Sequence, residues 1–265
     1  MGVLAAILWL AAPAHEDLEV QIARLSEQIR REPERAVLYF RRGELHRMHE
    51  DWTAAREDLE RAAALDPALA AADLALGRLW NQAGDPGRAR AALDRFLKRT
   101  PEHGEALLER ARARAALGDR DGALDDYARG IPLLEQPRPE NYIERAELLR
   151  AGKRPDEAMR ALEEGVRKLG PALSLQLALL DLELDTGRFD AALTRVDDIA
   201  RASERKDLWL ARRGEILRQA GRAAEAADAF RAALASINAL PAARRKTKFT
   251  RDLENRVRAE LEALR

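Results

Sequence analysis

Three side chains that could bind a metal ion lie close together in the sequence, at His46, His49 and Glu50. Two histidines three residues apart on a helix lie on the same face and can share one ion. However, no zinc-protease signature accompanies them, and we expect His46 to pack inside the fold. His103 stands alone near a predicted helix start. The sequence therefore predicts no metal site and no cofactor.

Other arrangements that support catalysis are also missing from the sequence. It contains no P-loop, no G-x-G-x-x-G and no G-x-S-x-G pattern. The carboxylates follow the solvent faces of predicted helices, where a Glu and an Arg three or four residues apart contribute about 0.2–0.5 kcal/mol. The absence of cysteine excludes disulfides, thiolate metal sites and cysteine nucleophiles. We therefore predict that the protein is not an enzyme.

The composition indicates an all-α protein. Ala, Leu, Arg and Glu, all good helix formers, dominate the chain, and no stretch sustains an alternation of apolar and polar residues. Basic and acidic residues balance at 46 each. Since a nucleic-acid-binding protein usually carries a basic excess, we do not expect nucleic acid as a partner.

A pattern with a period of 34 or 35 residues organises these helices. Two sets of small residues, one set of large apolar residues and the turn glycines all return at this interval. A unit this short cannot bury its apolar face alone, so successive copies must stack. In that order, the sets are Gly43, Gly77, Ala111, Ala146, Leu180 and Gly214; Ala55, Ala89, Ala123, Ala158, Ala192 and Ala226; Leu59, Leu93, Tyr127, Leu162, Val196 and Phe230; and Gly84, Gly118, Gly152, Gly187 and Gly221.

Each copy is predicted to form two helices. The small residues let the two helices cross closely, the glycine lets the chain leave the first helix, and Pro33, Pro67 and Pro101 end second helices. The first helices are predicted near 35–48, 69–82, 103–116, 139–151, 172–186 and 205–220, and the second near 52–65, 86–99, 120–134, 155–169, 188–201 and 223–237.

The predicted domain order is a leader at 1–14, a capping half-copy at 15–33, six copies at 34–240 and a last capping helix at 241–265. Caps at both ends are needed because the terminal copies would otherwise expose an apolar face.

The stretch 131–139 (IPLLEQPRP) forms one irregular junction, with an extra residue and with Pro137 and Pro139 on either side of Arg138. This junction could be a hinge or a slightly longer turn in a continuous array.

The repeated unit resembles the tetratricopeptide repeat, with Gly or Ala eighth, Gly fifteenth, Ala twentieth, a large apolar residue twenty-fourth and Pro thirty-second. The clearest copies are 36–67 and 70–101, and the resemblance covers about 34–240. It implies an all-α, right-handed superhelical solenoid of about six helix pairs with capping helices at both ends. Leu180 departs from the pattern at a small-residue position, and Gly152 comes one place early in its turn.

Members of this family usually bind peptides or protein segments in a concave groove lined by the first helices. The resemblance therefore implies a non-enzymatic interaction module whose partner is a protein or peptide. The predicted groove residues are Phe40, Glu44, Arg47, Met48, Leu74, Arg78, Asn81, Gln82, Leu108, Arg112, Ile143, Glu147, Arg150, Leu177, Asp181, Asp185, Ala211, Glu215 and Arg218.

The predicted groove carries its charges unevenly. Arg78 and Arg112 have no acidic groove neighbour in their own copies, whereas Asp181 and Asp185 stand together. We hypothesise an extended ligand whose acidic part lies on the early copies and whose basic part lies on the late ones. Simple solvation of these charges is the alternative. If one copy confers specificity, the atypical first copy, with Glu50 at the turn glycine position, is the candidate.

The segment at 1–14 (MGVLAAILWLAAPA) differs from everything after it. The apolar run at 3–12 is too short to span a bilayer but typical of a signal peptide, and small residues precede His15 as in an A-x-A cleavage site. We expect an exported protein, periplasmic or extracellular, without a stable membrane span. No basic residue precedes the run, so a buried first helix or a misplaced start codon, with a cytoplasmic protein, is the alternative.

A basic cluster lies on the predicted last helix, at Arg244, Arg245, Lys246, Lys248 and Arg251. Such a cluster could contact nucleic acid, an anionic membrane or an acidic partner, although a solvated face is the more common outcome. It supports an alternative function, an accessory or regulatory subunit of an enzyme complex that acts through its convex face or this basic helix.

Overall fold

The structure, a computed structural model, describes residues 18–264. Over this range the chain forms helices and turns without a β-strand, and within each compact unit most helices pack against their neighbours in sequence. The predicted leader and its cleavage site lie outside the described residues. The helices are α1 Leu18–Arg31, α2 Ala36–Met48, α3 Trp52–Leu65, α4 Ala70–Gln82, α5 Pro86–Arg99, α6 Gly104–Ala116, α7 Arg120–Gly130, α8 Pro139–Ala151, α9 Pro155–Leu169, α10 Leu173–Asp185, α11 Phe189–Ala202, α12 Lys206–Gln219, α13 Ala223–Ala239, α14 Ala242–Arg245 and α15 Lys248–Ala263.

The chain divides into two compact units. Unit 1 ends at Glu135 and contains α1–α7, and unit 2 begins at Gln136 and contains α8–α15. The division falls within the irregular junction at 131–139. In unit 1 this junction starts with a single 3-10 turn, Ile131–Leu133, directly after α7. None of the described helices combines the length and the apolar character needed to cross a bilayer.

The small residues lie where the two helices of a copy approach most closely, as predicted. A Cβ added to Gly77 would lie 2.4 Å from Leu93 Cγ, and one added to Gly214 would lie 2.5 Å from Phe230 Cε1. Contacts this short do not occur between real atoms, so even a methyl group would displace the large residue of the same copy. The missing side chain on the first helix thus makes room for the large side chain on the second.

In the fifth copy the larger side chain of the close contact lies on the first helix instead of the second. Leu180 occupies the small-residue position, and the large-residue position holds the smaller Val196. Both side chains are buried in one cluster of apolar residues that extends from α10 to α15. Because the volume is redistributed between the two helices, the departure at Leu180 is compatible with a filled core.

The turn after the first helix needs one residue with positive φ in each copy. Gly84, Gly118, Gly187 and Gly221 supply it, and in the first copy Glu50 takes the left-handed conformation, with φ of 62°. In the fourth copy the left-handed residue is Lys153, with φ of 59°, since Gly152 comes one place early and has φ of −80°. Two copies therefore place a side chain where glycine is preferred.

The start of the second helix differs between the two units. In unit 1 an aspartate accepts a hydrogen bond from a backbone N–H in the first turn: Asp51 from Ala54 at 3.1 Å and Asp85 from Arg88 at 3.0 Å. Asp119 does the same for α7. These aspartates satisfy backbone donors that a helix start leaves unpaired.

In unit 2 an arginine stands at each corresponding position and does not cap the helix. Arg222 pairs instead with Glu225 at 2.7 Å, inside its own first turn, and with Asp190 of the preceding copy at 2.9 Å. Arg188 likewise reaches Asp156 of the preceding copy. Neighbouring copies of unit 2 are therefore linked by surface ion pairs at the position where unit 1 has capping aspartates.

Two predictions about helix ends are wrong. The second helix of the third copy stops at Gly130 rather than near residue 134, because the chain tightens into the 3-10 turn before Leu134. The last helix is not continuous from residue 242. It breaks after one turn, and Thr247 then caps α15 through its Oγ1, which accepts from the N–H of Thr250.

Candidate functional site

The predicted groove residues lie on the first helices of the six copies, in two separate groups. Unit 1 holds those on α2, α4 and α6, and unit 2 holds those on α8, α10 and α12. Three of the predicted residues are buried in the core: Leu74 and Leu108 are 9% and 3% exposed, and Ala211 is 0% exposed. Their prediction as ligand contacts is corrected, because side chains this deeply buried are not accessible to a ligand.

The polar groove residues of the first copy form hydrogen bonds with one another and with the second copy. Arg47 donates from Nε to Glu44 at 3.0 Å and from Nη1 to the Gln82 side chain at 2.9 Å. Phe40 is half-buried against the neighbouring core cluster. Met48 is 60% exposed and extends beyond this network.

Side-chain hydrogen bonds and ion pairs also link the second and third copies. Asn81 donates from Nδ2 to the backbone oxygen and the carboxylate of Glu109, at 2.9 and 2.7 Å. Arg112 also pairs with Glu109, at 2.8 Å, and Arg78 pairs with Glu105. Both arginines thus have acidic neighbours, which corrects the expectation of an uncompensated cationic surface on the early copies. The hypothesis of an acidic ligand end there loses its basis.

Unit 2 brings five predicted groove residues together around one cavity of about 330 Å³. The cavity lies between the first helices of the fourth and fifth copies, α8 and α10, and the buried side chains of Ala146, Leu162 and Leu182 are among its lining residues. The five predicted residues that line it are Ile143, Glu147, Arg150, Leu177 and Asp181.

The cavity combines an apolar lining with acidic groups at the surface. Arg150 forms an ion pair with Asp185, so its charge is compensated. Glu147 and Asp181 are both exposed, and neither forms an ion pair with any residue in the described range. The cavity can therefore hold an apolar side chain beside a cation, since its two free carboxylates attract positive charge.

Two groove residues of the sixth copy form ion pairs with the last helix. Arg218 Nε lies 2.9 Å from Glu260 Oε2, and Glu215 lies 3.0 Å from Arg212 and 3.6 Å from Arg256. Helix α15 thus contributes both a cation and an anion to α12. Glu215 and Arg218 contribute to this contact.

His46 and His103 have structural roles. His46 is half-buried, with ring nitrogens 3.9 Å from the carboxylates of Asp51 and Asp58. His103 caps α6, since its Nδ1 accepts from the N–H of Ala106 at 3.2 Å, and its ring meets Phe96 edge-on. Within residues 18–264, no three His, Asp or Glu side chains are grouped in a way that could hold a metal ion.

A set of buried ion pairs is absent from the sequence-based predictions. Arg42 donates to both oxygens of Asp58 at 2.7 Å and to Ser26 at 2.9 Å. Two copies later, Arg110 donates to Asp126 at 2.8 and 2.9 Å and to Asp94 at 2.8 Å. In both cases the partners lie 16 residues before and after the arginine. The recurrence of this spacing is the signal that could reveal them.

Comparison with known proteins agrees with this architecture. The sequence profile described as "Tetratricopeptide repeat" matches residues 40–90, 74–141 and 177–241, which together make up more than half of the chain. The chain therefore belongs to the tetratricopeptide repeat family. The predicted fold class, an all-α array of tetratricopeptide helix pairs, is confirmed.

Individual relatives match this chain at low sequence identity. Tetratricopeptide repeat protein 36 from Homo sapiens is 33% identical over 105 residues, which are 37% of this chain and about half, 56%, of that protein. A tetratricopeptide repeat protein from Parabacteroides merdae has 19% identity and a TM-score of 0.59, with 91% of this chain and 93% of that one covered. YrrB, described as having an unusual peptide-binding site, has 17% identity and a TM-score of 0.55, with 67% and 91% covered.

Proposed function

We propose that this protein is a non-enzymatic interaction module that binds an extended protein segment in the cavity between α8 and α10. The tetratricopeptide fold is typical of protein–protein interaction and scaffold roles. The proposal rests on the carboxylates of Glu147 and Asp181, which lie beside an apolar cavity. Neither carboxylate forms an ion pair in the described chain, because the nearby Arg150 pairs with Asp185. The solved structure of YrrB, which shares the fold, is described as having a peptide-binding site.

The chemistry of the cavity selects the ligand segment. An apolar side chain would displace water from Ile143 and Leu177, a gain of about 25 cal/mol for each Å² of apolar surface removed from water. A neighbouring Lys or Arg would reach Asp181 or Glu147, which sets orientation and association rate more than affinity. The ligand is therefore a segment in which an apolar residue is flanked by basic ones.

Synthetic peptides test this proposal directly. Fluorescent peptides with a central Leu in a Gly-Ser background would carry Lys on both sides in one series and Glu in the other. Fluorescence polarisation with the full chain should show binding of the Lys series only, weakening as salt is raised. A ligand sequence can afterwards be sought by capture from the source organism and mass spectrometry.

Charge reversal separates the cavity from general electrostatics. The double variant Glu147→Lys and Asp181→Lys should abolish binding of the Lys series. The control Glu163→Lys with Glu204→Lys changes net charge equally at exposed carboxylates that do not line the cavity, and should leave binding nearly unchanged. Equal loss in both variants, or equal binding of both peptide series, would refute the cavity as the site.

The alternative role, a subunit acting through its convex face or basic last helix, makes the opposite prediction. A partner captured equally well by the Glu147→Lys and Asp181→Lys variant would favour this alternative. The exposed basic residues around α14 are the observation that supports it.

We also propose export of the mature chain. The support is the apolar run at 3–12 followed by small residues before His15. Mass spectrometry of the chain recovered from its own organism tests this, because cleavage removes the segment 1–14 and leaves His15 at the new N-terminus. Recovery of a chain that retains this segment would contradict cleavage.

A further inference from the structure

One end of unit 2 carries a concentrated positive charge. Between residues 241 and 251 the sequence holds five basic residues and no acidic one, although the chain as a whole has net charge zero. All five side chains are exposed. We call this surface the α14 patch, and its basic residues are Arg244, Arg245, Lys246, Lys248 and Arg251.

The α14 patch differs from the rest of the surface in how its charges are compensated. Most exposed arginines elsewhere in residues 18–264 form an ion pair with a carboxylate, either one helical turn away or on another helix. In the patch only Lys248 has such a partner, Asp252 at 2.6 Å. The other four cations form no ion pair with any residue in the described part of the chain, so their charge faces solvent.

An exposed aromatic ring lies among these cations. Phe249 is 55% exposed and is one of the few large apolar side chains outside the core. The guanidinium of Arg205 lies 5.1 Å from its ring centroid, and Arg205 is itself fixed by two hydrogen bonds to the buried Asp207. That pairing holds the pKa of Asp207 below its usual value. The ring is therefore held at the surface rather than folded inward.

The backbone keeps the patch in one place. Thr247 Oγ1 donates to the backbone oxygen of Arg244 at 2.9 Å and caps α15, while Thr250 is fully buried beneath it. The first turn of α15 contains no acidic residue, so the positive end of the helix adds to the basic side chains rather than being neutralised.

We infer that the α14 patch is a docking surface for an anionic lipid bilayer. Clusters of four to eight basic residues bind acidic headgroups, and an aromatic side chain at the same surface inserts among them. Phe249 adds an apolar contact that the acyl boundary of a bilayer accepts. The bases of a nucleic acid could also stack on this ring, but the balanced net charge of the chain disfavours nucleic acid as the partner. This interaction does not depend on the cavity between α8 and α10.

Vesicle sedimentation with the full chain tests the inference. The protein should bind vesicles of phosphatidylcholine containing about one-quarter phosphatidylglycerol, and not vesicles of phosphatidylcholine alone. Binding should fall steeply as salt is raised. The triple variant Arg244→Glu, Arg245→Glu and Lys246→Glu should bind at least roughly 100-fold more weakly, from the loss of three favourable charges. Phe249→Ala should bind roughly tenfold more weakly while keeping its salt dependence.

A matched variant guards against effects of net charge or folding. Arg90→Glu, Arg160→Glu and Lys168→Glu make the same charge change at exposed sites outside the patch and should bind as the unmodified chain does. Circular dichroism checks that each variant is folded. The inference is overturned if neither vesicle binds, if the matched variant loses binding equally, or if duplex DNA binds more tightly than vesicles and displaces them.

Discussion

At the residue scale, the closest approaches between paired helices decide which substitutions the chain tolerates. Gly77 of α4 leaves room for Leu93 of α5, and both lie in the interior of unit 1. Protein interiors are packed as densely as organic crystals, so the displaced leucine has no empty space to enter.

Gly77→Ala should therefore lower the free energy of unfolding by about 1–3 kcal/mol, the usual cost of overpacking, despite the better helix propensity of alanine. Urea denaturation followed by circular dichroism measures the change. Gly87→Ala is the control, since its Cβ would meet only Asp85 Oδ1 at 3.6 Å, an ordinary contact. This control should be neutral or stabilising, and a similar loss in both variants would disprove the packing explanation.

The buried arginine–aspartate pairs give a second prediction at this scale. Asp126 is fully buried and accepts hydrogen bonds from Arg110, while Arg114 lies 2.9 Å away. Asp126→Ala would leave two partly buried guanidinium groups facing each other without their shared anion. We expect a loss of about 3–5 kcal/mol in the free energy of unfolding.

The neighbouring Asp125 provides a matched comparison. It is exposed and lies 3.6 Å from Arg129, so Asp125→Ala should cost less than about 1 kcal/mol. Both values follow from urea denaturation. If the two alanine variants were equally stable, the buried pair would contribute no more than a surface pair does.

Sequence reasoning locates the small residues correctly, but it does not show which of the predicted groove residues are buried. Leu74 and Leu108 are assigned by register alone, and register fixes the helix face only to within the width of one side chain. Whether a leucine at the edge of that face is covered depends on the neighbouring copy, which the pattern of one copy does not contain. The ion pair of Arg110 with Asp126 also depends on two helices at once.

At the element scale, the repeat period predicts which segments are helical, but it predicts less accurately where each helix ends. The first and second helices of the six copies begin and end within two residues of prediction, apart from α7. The break between α14 and α15 is not predictable from the apolar spacing, because the helically spaced residues Phe249, Leu253 and Val257 all lie after it. Its cause is a local hydrogen bond, from Thr250 N–H to Thr247 Oγ1, that competes with the continuing helix.

The left-handed turn residues give a prediction at this scale. Lys153 has φ of 59° in the turn between α8 and α9, a conformation that costs a residue with Cβ about 1–2 kcal/mol relative to glycine. Lys153→Gly should therefore raise the melting temperature of the chain. Differential scanning calorimetry measures it.

The reverse substitution in another copy serves as the control. Gly84 has φ of 77°, and no other atom lies within 4 Å of the position that a Cβ would take, so Gly84→Ala introduces backbone strain without a clash. It should lower the melting temperature by a comparable amount. A lower melting temperature for Lys153→Gly would mean that its side chain stabilises the turn by more than the strain costs.

At the scale of the whole molecule, stability in a repeat array is carried by contacts between neighbouring copies. In unit 2, α11 packs against α12, α12 against α13, and α13 against α15. Gly214→Ala would place a methyl group 2.5 Å from Phe230 Cε1, at the α12–α13 contact in the middle of this series.

Hydrogen exchange measured by mass spectrometry should show a graded response to Gly214→Ala. Amide exchange should accelerate most in α12 and α13, less in α11 and α15, and least in α2 and α3, because opening can occur locally in such arrays. Equal acceleration throughout residues 18–264 would instead indicate that the chain opens as one cooperative unit.

The arginines that begin the second helices of unit 2 have a consequence for how such a chain can lengthen. Arg188 reaches back to Asp156 and Arg222 reaches back to Asp190, so each copy offers an acid to its successor and an arginine to its predecessor. Tandem duplication of the stretch 189–222 would give every new arginine an aspartate at the same separation as in these two pairs. Growth by whole copies at this point would therefore preserve the surface pairing, whereas insertion of any other length would break it.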